Sequence, residues 1–349
     1  MIYKKLLEKK KTGFFEFVEN KIFGLSNTDG YLKLAEFDNN YEIIWQTKDN
    51  KVNNFIVFRN NLIYTKYKTK TVSINYKNYS TNYEVDKPIY ILQDSCDEKF
   101  YYGFDEKGFF KLDLQNGKFV SRFLKENLNG WVKLIDDFLV YRPFLTGTVM
   151  FLNKNNFSIV WQKDLSEITS YNDWDGDHKG EISNVYKYNN QLIVLSGNCV
   201  LALAIDTGEI LWKLSYKGFT PYTLHIIDNK GYFAKGAFYS VIDLEKGEKI
   251  LDTMIDNIFN REKNYQNNYA MVGSDITYHK GKIYFSDKQN GKYYLFCLNP
   301  EIGIIEDYMY LEDIDSNLAP PKFHKGKMFL LDSKSTLHIF ETQQNTLET

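Results

Sequence analysis

Apolar residues recur along this chain in short runs, each bounded by Gly, Asn or Asp, and no window sustains the 3.6-residue period of an amphipathic helix. The sharpest example is Gln191-Leu-Ile-Val-Leu, then Val200-Leu-Ala-Leu-Ala, then Thr207-Gly-Glu-Ile-Leu-Trp212. A strand ends, a Thr-Gly turn reverses the chain, and a strand carrying a Trp departs. Weaker copies place equivalent positions at Ile22, Ile63, Phe100, Phe138, Ile193, Tyr232, Ile283 and Met328, spaced 37 to 55 residues apart. A four-stranded propeller blade occupies roughly 40–50 residues. The spacing therefore predicts one all-β domain over 1–349: a β-propeller of eight four-stranded blades, with seven as the alternative count because the second repeat is degenerate.

The eighth repeat reaches the C-terminus before a fourth strand is complete. Met1-Ile-Tyr-Lys-Lys-Leu-Leu is expected to supply it, closing the ring and removing an exposed sheet edge. The two longest intervals hold insertions near 165–183 and 254–275. Both fall between the outer strand of one blade and the inner strand of the next.

Composition narrows the reading. Aromatics make up 17% of the chain, mostly 27 Tyr and 26 Phe, as many half-buried strands require. Charge is balanced, 43 basic against 45 acidic residues, so nucleic acid is not an expected partner. Lys4, Lys5 and Lys9-Lys10-Lys11 read as a solvated strand rather than a membrane contact. The cysteines Cys96, Cys199 and Cys297 follow no disulfide or metal spacing, and no apolar run approaches a membrane span. The expectation is a monomeric bacterial protein of the cytoplasm.

The fifth repeat resembles that of the PQQ-like, or quinoprotein-type, β-propellers, whose pattern is Ala-x-Asp-x-x-Thr-Gly-x-x-x-Trp. Ala202, Thr207, Gly208 and Trp212 match in register, with Ala204 at the Asp position. Asp243 and Gly247, Asp113 and Gly117, and Asn299 and Gly303 keep parts of it, as do Trp45 and Trp161. Gly208 is expected to adopt positive φ, the Asp to bond turn amides, and Trp212 to pack on the adjacent blade with its indole N–H on a backbone carbonyl. Quinone-dependent members of the family resemble one another in a vicinal cysteine pair and calcium ligands. No two cysteines here are adjacent, so PQQ is not expected.

Candidate chemistry is sparse. Asp173-Trp-Asp-Gly-Asp-His-Lys-Gly-Glu181 alternates carboxylates around a Gly, and Asp173, Asp175, Asp177 and Glu181 are the candidate ligands should a calcium ion bind. The bland reading is a solvated or partner-contacting loop. Trp174 among acids suits an interface anchor. In the second insertion Phe259, Arg261 and Tyr265 mix aromatic and hydrogen-bonding groups in a paratope-like way. His178, His225, His279, His324 and His338 show no metal spacing, and His279 and His324 read as strand-end packing. No nucleophile or phosphate-loop motif is present, and no catalytic residue is assigned.

These features favour a non-enzymatic scaffold or immunity-type protein that binds a protein partner through the face bearing the two insertions, without a cofactor. The alternative is a small-ligand-binding or catalytic propeller with its site at the channel mouth, a quinone- and calcium-dependent oxidoreductase being a subcase.

Overall fold

The computed structural model describes residues 3–10, 12–28, 31–89, 91–124, 128–173, 175–217, 221–259, 269–272 and 275–342. They form two compact units, Lys11–Leu165 and Met1–Lys10 with Ser166–Thr349. Each holds four blade sheets, the second unit with a two-stranded hairpin besides, and seven of the eight positions picked out above fall in the second strand of a sheet, Phe100 falling in the first strand of a three-stranded one.

The first unit contains blades one to four. Blade one is Thr12–Val18, Lys21–Thr28, Tyr31–Phe37 and Ile43–Gln46, and blade two runs from Val52–Phe58 to Thr81–Val85. Blade three is three-stranded: Phe100–Asp105, Gly108–Asp113 and Phe119–Leu124. Blade four runs from Gly130–Ile135 to Ile159–Asp164. In the second unit, blades five to seven begin at Ile182–Tyr188, His225–Ile227 and Thr277–His279. Blade eight takes its outer strand from Tyr3–Lys9, which pairs with Leu337–Thr342, as expected for the N-terminal segment.

The core lies between sheets. Phe23, Leu34, Leu62 and Tyr76 join blades one and two, and Ile193, Ala202, Phe233 and Leu244 join five and six. Both faces of a blade are thus buried, which is why Cys199–Ala204 is apolar on alternate and intervening positions alike.

One turn recurs between the third and fourth strands. The side chains of Asp38, Asn75, Asp113, Asn153, Asp243 and Asn299 each accept the N–H two residues on, at 2.8 to 2.9 Å. A residue at positive φ then leads into the fourth strand: Gly117, Gly208, Gly247 and Gly303, but Tyr41, Tyr79 and Phe157 in blades one, two and four. An aromatic residue in the left-handed region costs about 1–2 kcal/mol of steric strain, so packing must hold it there. Tyr79 stacks on Trp45 with ring centroids 4.4 Å apart and donates its hydroxyl to buried Glu36. Phe157 is buried and stacks on Phe109.

The glycines serve the same contact from the other side. A Cβ on Gly247 would lie 2.3 Å from Cγ of Trp212 in the preceding blade, and one on Gly117 would lie 2.5 Å from the Tyr83 ring. Trp212 therefore packs on the adjacent blade as expected. Its indole nitrogen, however, is buried with no hydrogen-bond partner among the described residues.

Beyond each turn the register slips by one residue in seven blades. The extra residues include Ile44, Val120, Val160, Leu211 and Ile250, all exposed. Such bulges sharpen the twist of the outer strand and discourage pairing with another chain.

Candidate functional site

The segment 165–183 forms a hairpin of its own, Tyr171–Asp173 paired with Gly176–His178. Asp173 pairs with Gly176 across the turn, and Gly is favoured at that last turn position. Its base is built for close approach. Thr169 is fully buried, with its hydroxyl 2.8 Å from that of Ser196. Gly180 and Gly197 flank it: a Cβ on Gly180 would sit 1.8 Å from Thr169 Oγ1, and one on Gly197 would sit 2.2 Å from the Thr169 carbonyl. The N–H of Gly180 donates to Ser166 and that of Gly197 to Glu181. Such packing fixes the base of the hairpin to the edge of blade five.

Above this base the acidic residues turn to local work. Asp173 Oδ1 accepts the N–H of Asp175 and contacts His178 Nε2, both at 2.9 Å. The turn amide first, then His178, hold the Asp173 carboxyl below the usual range. Asp177 accepts the Asn172 amide at 2.8 Å across the hairpin, and the His178 ring stacks on Tyr171. The four candidate ligands are not gathered into one shell; among the described residues no group of three or more His, Cys, Asp or Glu side chains is placed to share a cation. Trp174 lies outside the described residues.

Beside the hairpin opens a cleft of about 370 Å³, walled by Tyr171, Asp177, His178, Glu181, Ser183 and Tyr222. The Ser183 hydroxyl donates to the Pro221 carbonyl at 2.9 Å, so it is a structural tie rather than a poised nucleophile. Tyr222 is exposed, with Lys235 Nζ 4.7 Å from its ring centre. The walls offer carboxylates, an imidazole and two phenol rings, a set suited to hydrogen-bonding a polar segment.

Of the second insertion, Arg261 and Tyr265 lie outside the described residues. Its ends are tied down: Asp256 bridges Tyr269, and Val272 bridges Gly236 in the turn that follows Lys235. Phe259 packs against Tyr294, Phe296 and Tyr308 of blade seven, with the nearest ring centre at 4.5 Å. Sequence reasoning missed this packing role, since nothing near Phe259 carries a strand pattern. It also missed Tyr222 and Lys235, which join the two insertions into one neighbourhood through a short interblade connection. His279, expected to pack at a strand end, stacks on Phe323 at 4.1 Å, and burial lowers its pKa.

Comparison with solved structures settles the architecture. BamB from Moraxella catarrhalis superposes with a TM-score of 0.66 over 97% of this chain and 100% of its own, at 11% identity. The C-terminal WD40 domain of Sif2 gives 0.67 over 98% and 99%, also at 11% identity. The fold is an eight-bladed β-propeller. The computationally designed protein Ika8 is similar too, at 0.65 over 95% and 96%, with 11% identity. At this identity the likeness is one of fold alone. No protein-family profile and no curated protein sequence matches the chain.

Proposed function

We propose that this propeller is a non-enzymatic interaction protein that grips a protein partner with the face carrying the 165–183 and 254–275 loops. The observation that carries the reading is the hairpin at 171–178, fixed at its base by buried Thr169 and standing beside a polar cleft. Rigid scaffolds present function on such loops. Asp175, Asp177, Glu181 and Tyr222 would meet the partner, with Asp173 and His178 holding the hairpin in shape. The repeated turn, with its side-chain cap and left-handed residue, supports reading the blades as repeats of the PQQ-like type. The free cysteines support a protein working in a reducing compartment such as the cytoplasm.

The test shortens the hairpin by joining Tyr171 directly to His178 through Asn-Gly, which preserves the turn geometry. Affinity capture from the source cells should recover a stoichiometric partner with the natural chain and lose it with the shortened one, at unchanged thermal stability. Equal recovery with both chains would overturn the assignment of this face.

A further inference from the structure

Blade three departs from its neighbours at its first strand. In blades two and four the first strands, Val52–Phe58 and Gly130–Ile135, pair with the second along their length. In blade three the corresponding chain enters a single 3-10 turn, Gln93–Ser95, and touches the second strand at one bridge, Cys96 with Tyr101. Pro88 precedes it with no N–H to give, and Asp94-Ser95 favours a turn over a strand.

The second strand, Phe100–Asp105, is therefore left with a partly bare edge. The Lys99 carbonyl accepts Leu114 on one side, and the Phe100 carbonyl accepts Asp97 at 2.9 Å on the other. Alternation then directs the N–H and C=O of Phe104 to the Asp97 side. Among the described residues none hydrogen-bonds the Phe104 backbone on that edge. Open space lies in front of it: a cavity of about 380 Å³ bounded by Asn54, Ile89, Leu92, Phe104, Phe110 and Trp131. It occupies the place of the absent strand, between the first strands of blades two and four. At its rim Lys87 and Arg122 both pair with Asp105, leaving one net positive charge.

We propose that this gap is a strand-acceptor site, taking an extended peptide that pairs with the Phe104 edge, buries one bulky apolar side chain in the cavity and sets an acidic group near Lys87. A free main-chain donor and acceptor on a strand edge is what an added strand satisfies, and a purely apolar small molecule leaves both unpaired. The site belongs to the unit Lys11–Leu165 and uses no residue of the hairpin, so it stands or falls independently of that reading.

Amide hydrogen exchange gives the first test. In the free protein the Phe104 amide should exchange much faster than those of Gly103 and Asp105, which point into the ladder. Fluorescent pentapeptides of the pattern Thr-X-Thr-Val-Asp, with X as Val, Leu, Ile, Phe or Trp, then serve as probes. At least one should bind and slow Phe104 exchange. N-methylation of the X amide should weaken it about tenfold, the worth of a main-chain hydrogen bond. Phe104→Pro, which removes a donor outside the ladder, should do the same, and Val132→Phe should abolish binding by filling the cavity. Slow Phe104 exchange in the free protein, no binding below about 1 mM, or affinity indifferent to N-methylation would each overturn the proposal. The last result would make the cavity a pocket for side chains or small molecules alone.

Discussion

Gly247→Ala isolates what the repeat motif does. The added Cβ would stand 2.3 Å from Trp212 Cγ and 2.5 Å from Cδ2, at a backbone φ of +67°. Two effects then add. Placing Ala in the left-handed region costs about 1–2 kcal/mol, and forcing a methyl into a packed contact costs about 1–3 kcal/mol. Gly291→Ala separates them, because Gly291 has φ of +79° and no atom within 4 Å of its Cβ position. Its cost should be the conformational part alone. Urea unfolding should therefore show Gly247→Ala more destabilising than Gly291→Ala by about 1–3 kcal/mol. In a Trp212→Gly background, which removes the Trp212 Cβ 2.6 Å from the added methyl as well as the ring, the excess should vanish, giving a coupling energy of the same size between residues of adjacent blades. Equal costs for the two glycines, or no coupling to Trp212, would refute the claim that this Gly exists to seat the preceding blade's Trp.

Three further outcomes follow from the same physics. Tyr79→Gly relieves a left-handed aromatic residue yet should still destabilise by about 1–3 kcal/mol in urea, since buried Glu36 loses its hydroxyl partner and Trp45 its stacking ring; a gain in stability would show that strain dominates. Gly180→Ala should cost about 1–3 kcal/mol by driving against Thr169, and it should loosen hairpin amides first in hydrogen exchange; a neutral result would mean the base is not close-packed. Burial would raise the Asp105 carboxyl, but Arg122 and Lys87 bring it down to about 2. Because its folded pKa lies below the ordinary 3.8, Asp105 contributes roughly 2 kcal/mol above pH 4 that is lost as pH falls toward 2. Asp105→Asn should flatten that part of the acid titration of stability, and an unchanged slope would contradict the pairing.

The blades were legible because a short apolar strand followed by a polar turn is a local signal, and Ile22 through Met328 marked one strand in every blade. The turns were legible only where the left-handed residue is Gly. Tyr41, Tyr79 and Phe157 hide the same turn: Tyr79 is held at positive φ by Trp45 and Glu36, and Phe157 by Phe109, contacts remote in sequence. Blade three falls short of the expected four strands because a single turn at Gln93–Ser95 stands where its first strand would pair. At the site, alternate aspartates suit calcium in the sequence. Their spacing is equally that of a hairpin, in which Asp173 and Asp177 bond neighbours within the loop. Tyr222 and Lys235 gave no signal at all, because their meeting joins an interblade connection to the end of a strand.

The most direct measurement is the hydrogen-exchange footprint of the purified partner on the intact chain. Protection is expected to concentrate at 166–183, 221–224, 256–259 and 269–272, with Tyr171–His178 most strongly slowed. Protection confined to the turns at the opposite ends of the strands, with the hairpin exchanging as in the free protein, would contradict it.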